Sequence, residues 1–186
     1  MIIKGHRVWL KSVDAGDHEL LHSLICAEED PEWKRWDAPY NRLENVSLEK
    51  FSRQLHSRLA EEKIPPVLLI QINHETVGTV VYYWQHAESY WLEVGAAIYR
   101  PEYWGQGYGT EALSLWIEYL FAHLPIVRVG LTTWSGNERM MRCAEKLGMK
   151  LEGRIRQCLL VEGQLYDSIK MGMLREEWEE RRPAQE

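Results

Sequence analysis

The chain has 186 residues and a formal net charge of −6, and hydrophobic residues make up 45% of it. This length and composition predict one folded domain with an ordinary hydrophobic core, and they exclude disordered and collagen-like chains. The negative charge argues against general binding to nucleic acids or anionic membranes, and the 3 cysteines suggest neither a disulfide framework nor a paired zinc motif. No signal peptide or membrane span is visible, so we expect a cytoplasmic protein. We also expect no metal site.

The first half of the chain predicts a strand, two helices and three strands. The strands are expected at residues 7–13, 67–72, 76–84 and 90–99. Apolar residues at helical spacing mark the first helix at Leu20, Leu21, Leu24 and Ile25 and the second at Leu48, Phe51, Leu55 and Leu59. The proline-containing segment 28–45 between these helices reads as a loop.

The second half predicts a helix at 107–123, a strand at 127–133, a second helix, and a hairpin of strands at 155–162 and 165–174. Ser135 and Glu138 have the spacing of a capping box for the second helix, which Gly148 ends. The predicted order is βααβββαβαββ, a mixed α+β sheet.

Glycines at 105, 107 and 109 lie between a predicted strand and the helix that follows it. Backbone N–H groups at such a helix N-terminus form a cradle for an anion, most naturally a phosphate. A dinucleotide fingerprint would need glycine in place of Thr110, and a nucleotide P-loop would need a lysine after Gly109. The alternative is a glycine-rich turn that only lets the strand enter the helix.

Residues 103–112, Tyr-Trp-Gly-Gln-Gly-Tyr-Gly-Thr-Glu-Ala, resemble the acetyl-coenzyme A pyrophosphate loop of the GNAT N-acetyltransferase superfamily. The resemblance is to the branch of ribosomal-protein N-terminal (RimJ/RimL-like) and spermidine acetyltransferases. Segment 137–149 is similar to that branch's Asn-to-Glu-Lys-Leu-Gly helix, and segments 161–167 and 174–178 are similar to its C-terminal hairpin. The match runs over nearly the whole chain.

The resemblance implies a GNAT acyl-CoA N-acyltransferase fold, with a mixed, mostly antiparallel sheet of about seven strands flanked by four helices. It implies one domain over residues 1–186 with a flexible C-terminal tail at 179–186. It also implies transfer of an acetyl group from acetyl-CoA to a primary amine, by direct attack in a ternary complex. A non-catalytic acyl-CoA-binding or sensor protein is the alternative function.

By the same resemblance, a strand backbone and the glycine loop hold the cofactor. The implied cofactor-binding residues are Ala97, Ile98, Tyr99, Gln106, Gly107, Tyr108, Gly109, Thr110 and Asn137. Trp104 stands where many relatives carry arginine or glutamine, so few basic side chains are expected at the phosphates. Asn137 has a second interpretation as a helix cap.

Acetyl transfer needs a base for the amine and a proton for the leaving thiolate. Glu93, in the family's Glu-Ile-Gly pattern as Glu-Val-Gly, is the implied general base; otherwise it is a solvent-facing carboxylate on a strand. A backbone N–H near Ile98 would serve the oxyanion. Cys143 is one candidate acid, with buried packing as its alternative, because two positions that often supply a hydroxyl hold Met140 and Ala144 here.

The acceptor side is predicted from an acidic, tryptophan-containing loop at 28–37 and from aromatic residues near the ends of neighbouring strands. The candidate substrate-binding residues are Trp33, Trp36, Trp84, Tyr90 and Trp91. Carboxylates beside aromatic faces suit an ammonium group, whereas the alternative is a solvated loop whose tryptophans plug the core. The expected partner is a protein N-terminus, a polyamine or another small cationic amine, and a homodimer is left open.

Overall fold

The computed structural model describes residues 1–60 and 62–181. Its strands are β1 (Ile2–Lys4), β2 (Trp9–Ser12), β3 (Val67–Ile72), β4 (Glu75–His86), β5 (Trp91–Ile98), β6 (Arg128–Trp134), β7 (Lys150–Val161) and β8 (Gln164–Leu174). Its helices are α1 (His18–Cys26), α2 (Leu48–Ala60), α3 (Tyr108–His123), α4 (Glu138–Leu147) and α5 (Arg175–Arg181). The described strands form one sheet in the order β1-β2-β3-β4-β5-β6-β8-β7.

The core lies where α3 covers one face of this sheet. Leu113, Trp116, Ile117 and Leu120 recur at helical spacing along α3, and all four are fully buried. They join alternate strand residues such as Tyr82, whose ring centroid is 5.9 Å from that of Trp116. Because side chains along a strand alternate between faces, the neighbours of these core residues point to the opposite face of the sheet.

The centre of the sheet contains a split that positions the functional site. Strands β5 and β6 are parallel, but they pair only at three residues of β5: Trp91, Leu92 and Glu93. Beyond Glu93 the two strands separate, while β5 continues to pair with β4 as far as Ile98. The last part of β5 therefore has backbone on its β6 side that none of the described strands covers.

The structure confirms the predicted α+β fold and adds two elements. Strand β1 is only three residues long, and α5 occupies the beginning of the predicted flexible tail. Of that tail, residues 179–181 belong to α5 and residues 182–186 lie outside the described residues. Within residues 1–60 and 62–181, none of the helices is both long enough and apolar enough to cross a membrane.

The predicted capping box at Ser135 is wrong. Asn137 is the N-cap of α4, and its side chain accepts a hydrogen bond of 3.0 Å from Met140 N. The Ser135 hydroxyl instead accepts from the backbone N–H of Asp167 on β8. The sequence has the Ser-x-x-Glu spacing of a capping box. The turn after β6, however, places Ser135 against the sheet and not at the start of α4.

Gly78→Ala is expected to lower the free energy of unfolding by about 2 to 3 kcal/mol, because overpacking against an immovable neighbour is destabilising. A Cβ on Gly78 would lie 2.1 Å from the carbonyl oxygen of Ala97 and 2.9 Å from Cα of Ile98, both backbone atoms of β5. Urea unfolding measures the change. Gly153→Ala is the control, since its Cβ would meet Lys170 Cβ at an ordinary 3.6 Å. Equal losses in the two variants would contradict the close approach at Gly78.

Candidate functional site

A groove of about 750 Å³ opens at the split between β5 and β6. It is bounded by the end of β5, the glycine turn, the start of α3 and one face of α4. Of the residues predicted for the cofactor, those that line this groove are Ala97, Ile98, Gly107, Tyr108, Gly109, Thr110 and Asn137. Tyr99 lines the adjoining cavity, and Gln106 lines neither space. The structure therefore brings most of the predicted residues to one place.

The glycine turn has the backbone geometry of an anion cradle. Gly105 and Gly107 have φ of +73° and +86°, left-handed values that residues with a side chain rarely adopt. The hydrogen bond that closes the first turn of α3 runs from Glu111 N to Gly107 O. The N–H groups of Tyr108, Gly109 and Thr110 precede it, so the helix does not use them. They are available to an anion at the positive end of α3.

Trp104 fastens this turn to β5. Its Nε1 donates a hydrogen bond of 2.8 Å to the carbonyl oxygen of Ile98. The indole of Trp104 therefore holds the loop. The carbonyl of Ile98 is one of the β5 backbone groups predicted to bind the cofactor, and it already accepts this hydrogen bond from Trp104.

Basic side chains from α4 line the groove, a contribution that sequence reasoning missed. Arg139, Arg142 and Lys146 all face it. Their spacing of three and four residues places them on one side of the helix, so the pattern was visible in the sequence. The groove thus has three cations in addition to its backbone cradle, and the expectation that backbone N–H groups mainly hold the phosphates stays a prediction.

Arg139 connects the glycine turn with the loop between α1 and α2. Its guanidinium carbon lies 4.0 Å from the centroid of the Trp36 ring and 4.8 Å from that of the Trp104 ring. Cation–π contacts of this kind stabilise by about 0.5 to 2 kcal/mol, depending on exposure. The tryptophan-rich loop is therefore held at the groove.

Asn137 strengthens the same connection. Asn137 is 7% exposed, and besides capping α4 its side chain donates from Nδ2 to the carbonyl oxygen of Trp36 at 2.8 Å. The indole of Trp134 donates to the same carbonyl at 2.9 Å. The capping interpretation of Asn137 is thus correct, and its side chain also positions the loop at Trp36. Its contact with the cofactor stays a prediction.

Asn137→Ala is expected to lower the free energy of unfolding by about 1 to 2 kcal/mol, because it removes a helix cap and a buried hydrogen bond. Asn137→Asp retains the acceptor for Met140 N but loses the donor to Trp36 O, so it should recover part of this loss. Thermal or urea unfolding of the two variants measures both effects. A Ser135→Ala control keeps the cap. If Asn137→Ala were as stable as the unaltered protein, the described role of Asn137 would be contradicted.

A second cavity, of about 230 Å³, adjoins the groove on the face of the sheet opposite α3. Seven residues line both spaces: Trp33, Trp36, Asp37, Ala96, Ala97, Asn137 and Met140. A molecule in the groove and a molecule in the cavity would therefore meet beside β5. We call this second space the acceptor cavity.

Of the aromatic residues predicted for the acceptor, Trp33 and Trp36 line the acceptor cavity, whereas Trp84, Tyr90 and Trp91 line neither space. Trp84 packs against Tyr82 on the core side of β4, because its neighbour Tyr83 takes the cavity side. We correct these three assignments: Tyr90 is exposed in the turn before β5, and the ring of Trp91 packs under Arg128.

Glu93 lies at the end of the paired part of β5, and it is 2% exposed. The alternative interpretation, a solvent-facing carboxylate, is therefore wrong. Tyr83 donates to Glu93 Oε2 at 2.9 Å, and the Thr132 hydroxyl lies 2.7 Å from the same oxygen. Lys170 Nζ lies 3.6 Å from Oε1 and also donates to the Thr132 hydroxyl. Burial of this carboxylate is thus compensated by hydrogen bonds and a cation.

The partners of Glu93 separate it from the acceptor cavity. Tyr83 and Thr132 line that cavity, and Glu93 lies behind them. Burial, with the adjacent negative charge of Glu93, raises the pKa of Tyr83 well above its usual range, so this phenol remains protonated at neutral pH. A proton leaving the cavity can reach Glu93 through these hydroxyl groups or through water, but a molecule in the cavity does not contact the carboxylate directly.

Cys143 lines the groove on α4, where burial raises the pKa of its thiol. A thiol that remains protonated can donate a proton but is a poor nucleophile. Tyr99 is a second hydroxyl at this site: desolvation raises its pKa to about 12, and its oxygen lies 2.8 Å from the hydroxyl of Thr79. The sequence did not single out Tyr83 as a residue of this cavity, because tyrosines are frequent in this chain and strands alternate their faces.

Comparisons with known proteins agree with this geometry. Residues 7–150 match the family model described as an acetyltransferase (GNAT) domain. The SPbeta prophage-derived uncharacterized N-acetyltransferase YokL of Bacillus subtilis is 36% identical over 83 residues, which cover 45% of this chain and 46% of YokL. Spermidine N(1)-acetyltransferase of Escherichia coli K12 is 25% identical over 192 residues, covering 97% of this chain and 94% of that enzyme.

Solved structures show the same fold. A structure of RimL, a ribosomal L7/L12 alpha-N-protein acetyltransferase in complex with coenzyme A, superimposes with a TM-score of 0.78 at 17% identity, covering 94% of this chain and 98% of RimL. The matches to the first three curated relatives span about half to two thirds of those proteins' lengths, 46%, 66% and 52%. The family match covers most of this chain, and the chain therefore belongs to the GNAT acetyltransferase family.

Proposed function

We propose that this protein is an N-acetyltransferase that moves an acetyl group from acetyl-CoA to a primary amine, acting as a single domain over residues 1–186 in the cytoplasm. The observation that carries the proposal is the meeting of two different spaces beside β5. One is a groove with an anion cradle and three cations, and the other is an aromatic cavity with a carboxylate. The described cysteines are all free, as suits a reducing compartment.

The groove has the features that acetyl-CoA requires. The unused N–H groups at the start of α3 suit the pyrophosphate, and Arg139, Arg142 and Lys146 supply positive charge for its phosphates. The uncovered backbone at the end of β5 suits an extended arm that pairs as a strand does. Acetyl-CoA supplies an activated acyl group on a good leaving thiolate.

The reaction needs no covalent intermediate on the protein. The acceptor ammonium first loses one proton to become a neutral amine. Its nitrogen attacks the thioester carbon, the new C–N bond forms and the C–S bond breaks, while a second proton leaves the nitrogen and, by way of a donor in the site, one proton reaches the leaving thiolate. We assign the first proton to Glu93 through Tyr83, Thr132 or water. Cys143 or a tyrosine of the acceptor cavity supplies the proton that reaches the thiolate, and a backbone N–H near Ile98 serves the oxyanion.

The relatives indicate two classes of acceptor. The E. coli relative is named for spermidine, and the RimL structure for a ribosomal protein's N-terminal amine. Both are primary amines that are mostly cationic at neutral pH. We propose that the acceptor of this chain is also a cationic primary amine, which is what the two acceptors have in common.

The test is thiol release from acetyl-CoA by the purified protein with a panel of amines: short peptides with free N-termini, polyamines and simple alkylamines. We expect release that depends on the acceptor and saturates with its concentration. Binding of acetyl-CoA without acceptor-dependent release from any amine would instead identify a non-catalytic acyl-CoA-binding protein.

A further inference from the structure

The acceptor cavity has an unusual lining: aromatic walls and one charge. Its aromatic residues are Trp33, Trp36, Tyr40, Tyr83, Tyr99 and Trp134. Among the described residues that line it, Asp37 alone is charged, and no lysine, arginine or histidine faces the space. Such a lining attracts a cation by charge and by the negative faces of the rings, and among the described residues it presents no positive charge to a carboxylate.

Asp37 lies where the acceptor cavity meets the groove, because it lines both. Its side chain is 62% exposed, so a molecule entering from solvent can contact it. The position is set by the backbone after the short 3-10 turn Glu32–Arg35, since Ala38 has a left-handed φ of +44°. The carboxylate is therefore at the mouth of the cavity and close to the place where acetyl transfer would occur.

Among the described residues, Lys34 is the cation paired with Asp37, and it leaves the carboxylate available to a ligand. Lys34 Nζ donates to the backbone carbonyl oxygens of Asp37 at 2.7 Å and of Ala38 at 3.1 Å. Its distance to Asp37 Oδ2 is 3.9 Å, which is beyond hydrogen-bond length. Lys34 thus holds the loop through main-chain atoms, and the Asp37 oxygens can accept hydrogen bonds from another ammonium group.

Three tyrosines of the acceptor cavity lie close enough to Asp37 for its charge to affect their pKa values. Burial raises the pKa of Tyr40, Tyr83 and Tyr99, and the negative charge of Asp37 adds to the rise in each. All three phenols therefore stay neutral at physiological pH. The cavity keeps its single negative charge at the mouth, with neutral aromatic walls behind it.

Glu93 cannot take this role. Its oxygens already accept from Tyr83 and Thr132, and it lies behind both residues. Proton acceptance by Glu93 and recognition of the incoming cation are thus separate tasks for separate carboxylates.

We propose that Asp37 receives the ammonium group of the acceptor, and that the acceptor is a slender alkylammonium with no negative charge beside the amine. A cavity of about 230 Å³ is smaller than most small-molecule pockets and has room for a short acceptor. The proposal rests on the proposed function and deepens it by naming the residue that selects the acceptor. Asp37 acts as a specificity-determining residue.

The test compares three probes of similar size: n-butylammonium, 1-butanol and butyrate. Their binding is measured by NMR titration with coenzyme A present, whose free thiol cannot transfer an acetyl group. The unaltered protein is expected to prefer the ammonium over the alcohol by about tenfold and to bind butyrate weakest. Asp37→Asn should remove the preference for the cation, and Asp37→Glu should restore part of it.

Asp30→Asn is the matched control, because it removes the same charge from an exposed position of the same loop outside both spaces. It should keep the preference, and unchanged coenzyme A affinity in each variant confirms an intact fold. Retention of the preference in Asp37→Asn, or its absence in the unaltered protein, would overturn the proposal. Thiol release from acetyl-CoA, measured alongside, keeps the two proposals distinct: cation preference without release refutes only the proposed function.

Discussion

Gly107→Glu is expected to abolish acetyl-CoA binding, with a loss of affinity of about 100-fold or more. Gly107 is the N-cap of α3 with φ of +86°, which a side chain strains by about 1 to 2 kcal/mol. Its Cβ would lie 3.2 Å from an Arg7 nitrogen. The added carboxylate would place a negative charge at the cradle that holds the pyrophosphate in our proposal. Isothermal titration with acetyl-CoA measures the loss.

Gly163→Glu is a closely matched control for this variant. Gly163 has a similar φ of +81° and open space around its Cβ position, but it lies in the turn between β7 and β8. It suffers the same backbone strain and gains the same charge away from the groove, so its affinity for acetyl-CoA should stay within about twofold of the unaltered protein's. If both variants lost affinity for acetyl-CoA to a similar extent, the cause would be backbone strain. Unchanged affinity in Gly107→Glu would contradict the proposal that the glycine turn binds the pyrophosphate.

Glu93→Gln is the second change with a large expected effect. General acid–base groups contribute about 10²- to 10⁴-fold, so we expect kcat to fall by about 100-fold while acetyl-CoA affinity stays nearly constant. The amide keeps the shape of the side chain but accepts no proton at neutral pH. It also directs an NH₂ group toward donors such as Tyr83 and Thr132. Steady-state kinetics over a range of pH measure the change.

Two controls separate chemistry from folding in this experiment. Glu49→Gln makes the same substitution on the exposed surface of α2 and should leave kcat unchanged. Thr132→Val removes one donor to Glu93 and the acceptor of Lys170, so it should lower kcat by a smaller factor and alter the pH profile. Wild-type kinetics in Glu93→Gln would remove Glu93 from the mechanism.

The glycine turn and the order of the elements along the chain were predictable because their signals are local. Left-handed glycines at 105 and 107, directly before an amphipathic helix, specify a strand-to-helix turn within a few residues. The mixed sheet likewise follows from strand-length apolar runs and the helices between them. The short β1 and α5 are too brief to produce a periodic pattern, so the sequence did not indicate them.

The acceptor side was only partly predictable, because its contacts join distant segments. The loop around Trp36 has no hydrophobic period, and its position depends on Arg139, Asn137 and Trp134, about a hundred residues away. The burial of Glu93 depends on Thr132 from β6 and Lys170 from β8, which no local pattern connects with β5. By contrast, strand alternation next to Tyr83 could already have excluded Trp84 from the cavity.

The most direct test of the account is the stoichiometry of the reaction. Purified protein is mixed with acetyl-CoA and an alkylammonium or peptide acceptor, and free thiol and acetylated amine are both quantified. We expect one free coenzyme A for each amine acetylated, and thiol release by Gly107→Glu no faster than without protein. Tight binding of acetyl-CoA with no acetylated amine from any acceptor would contradict it.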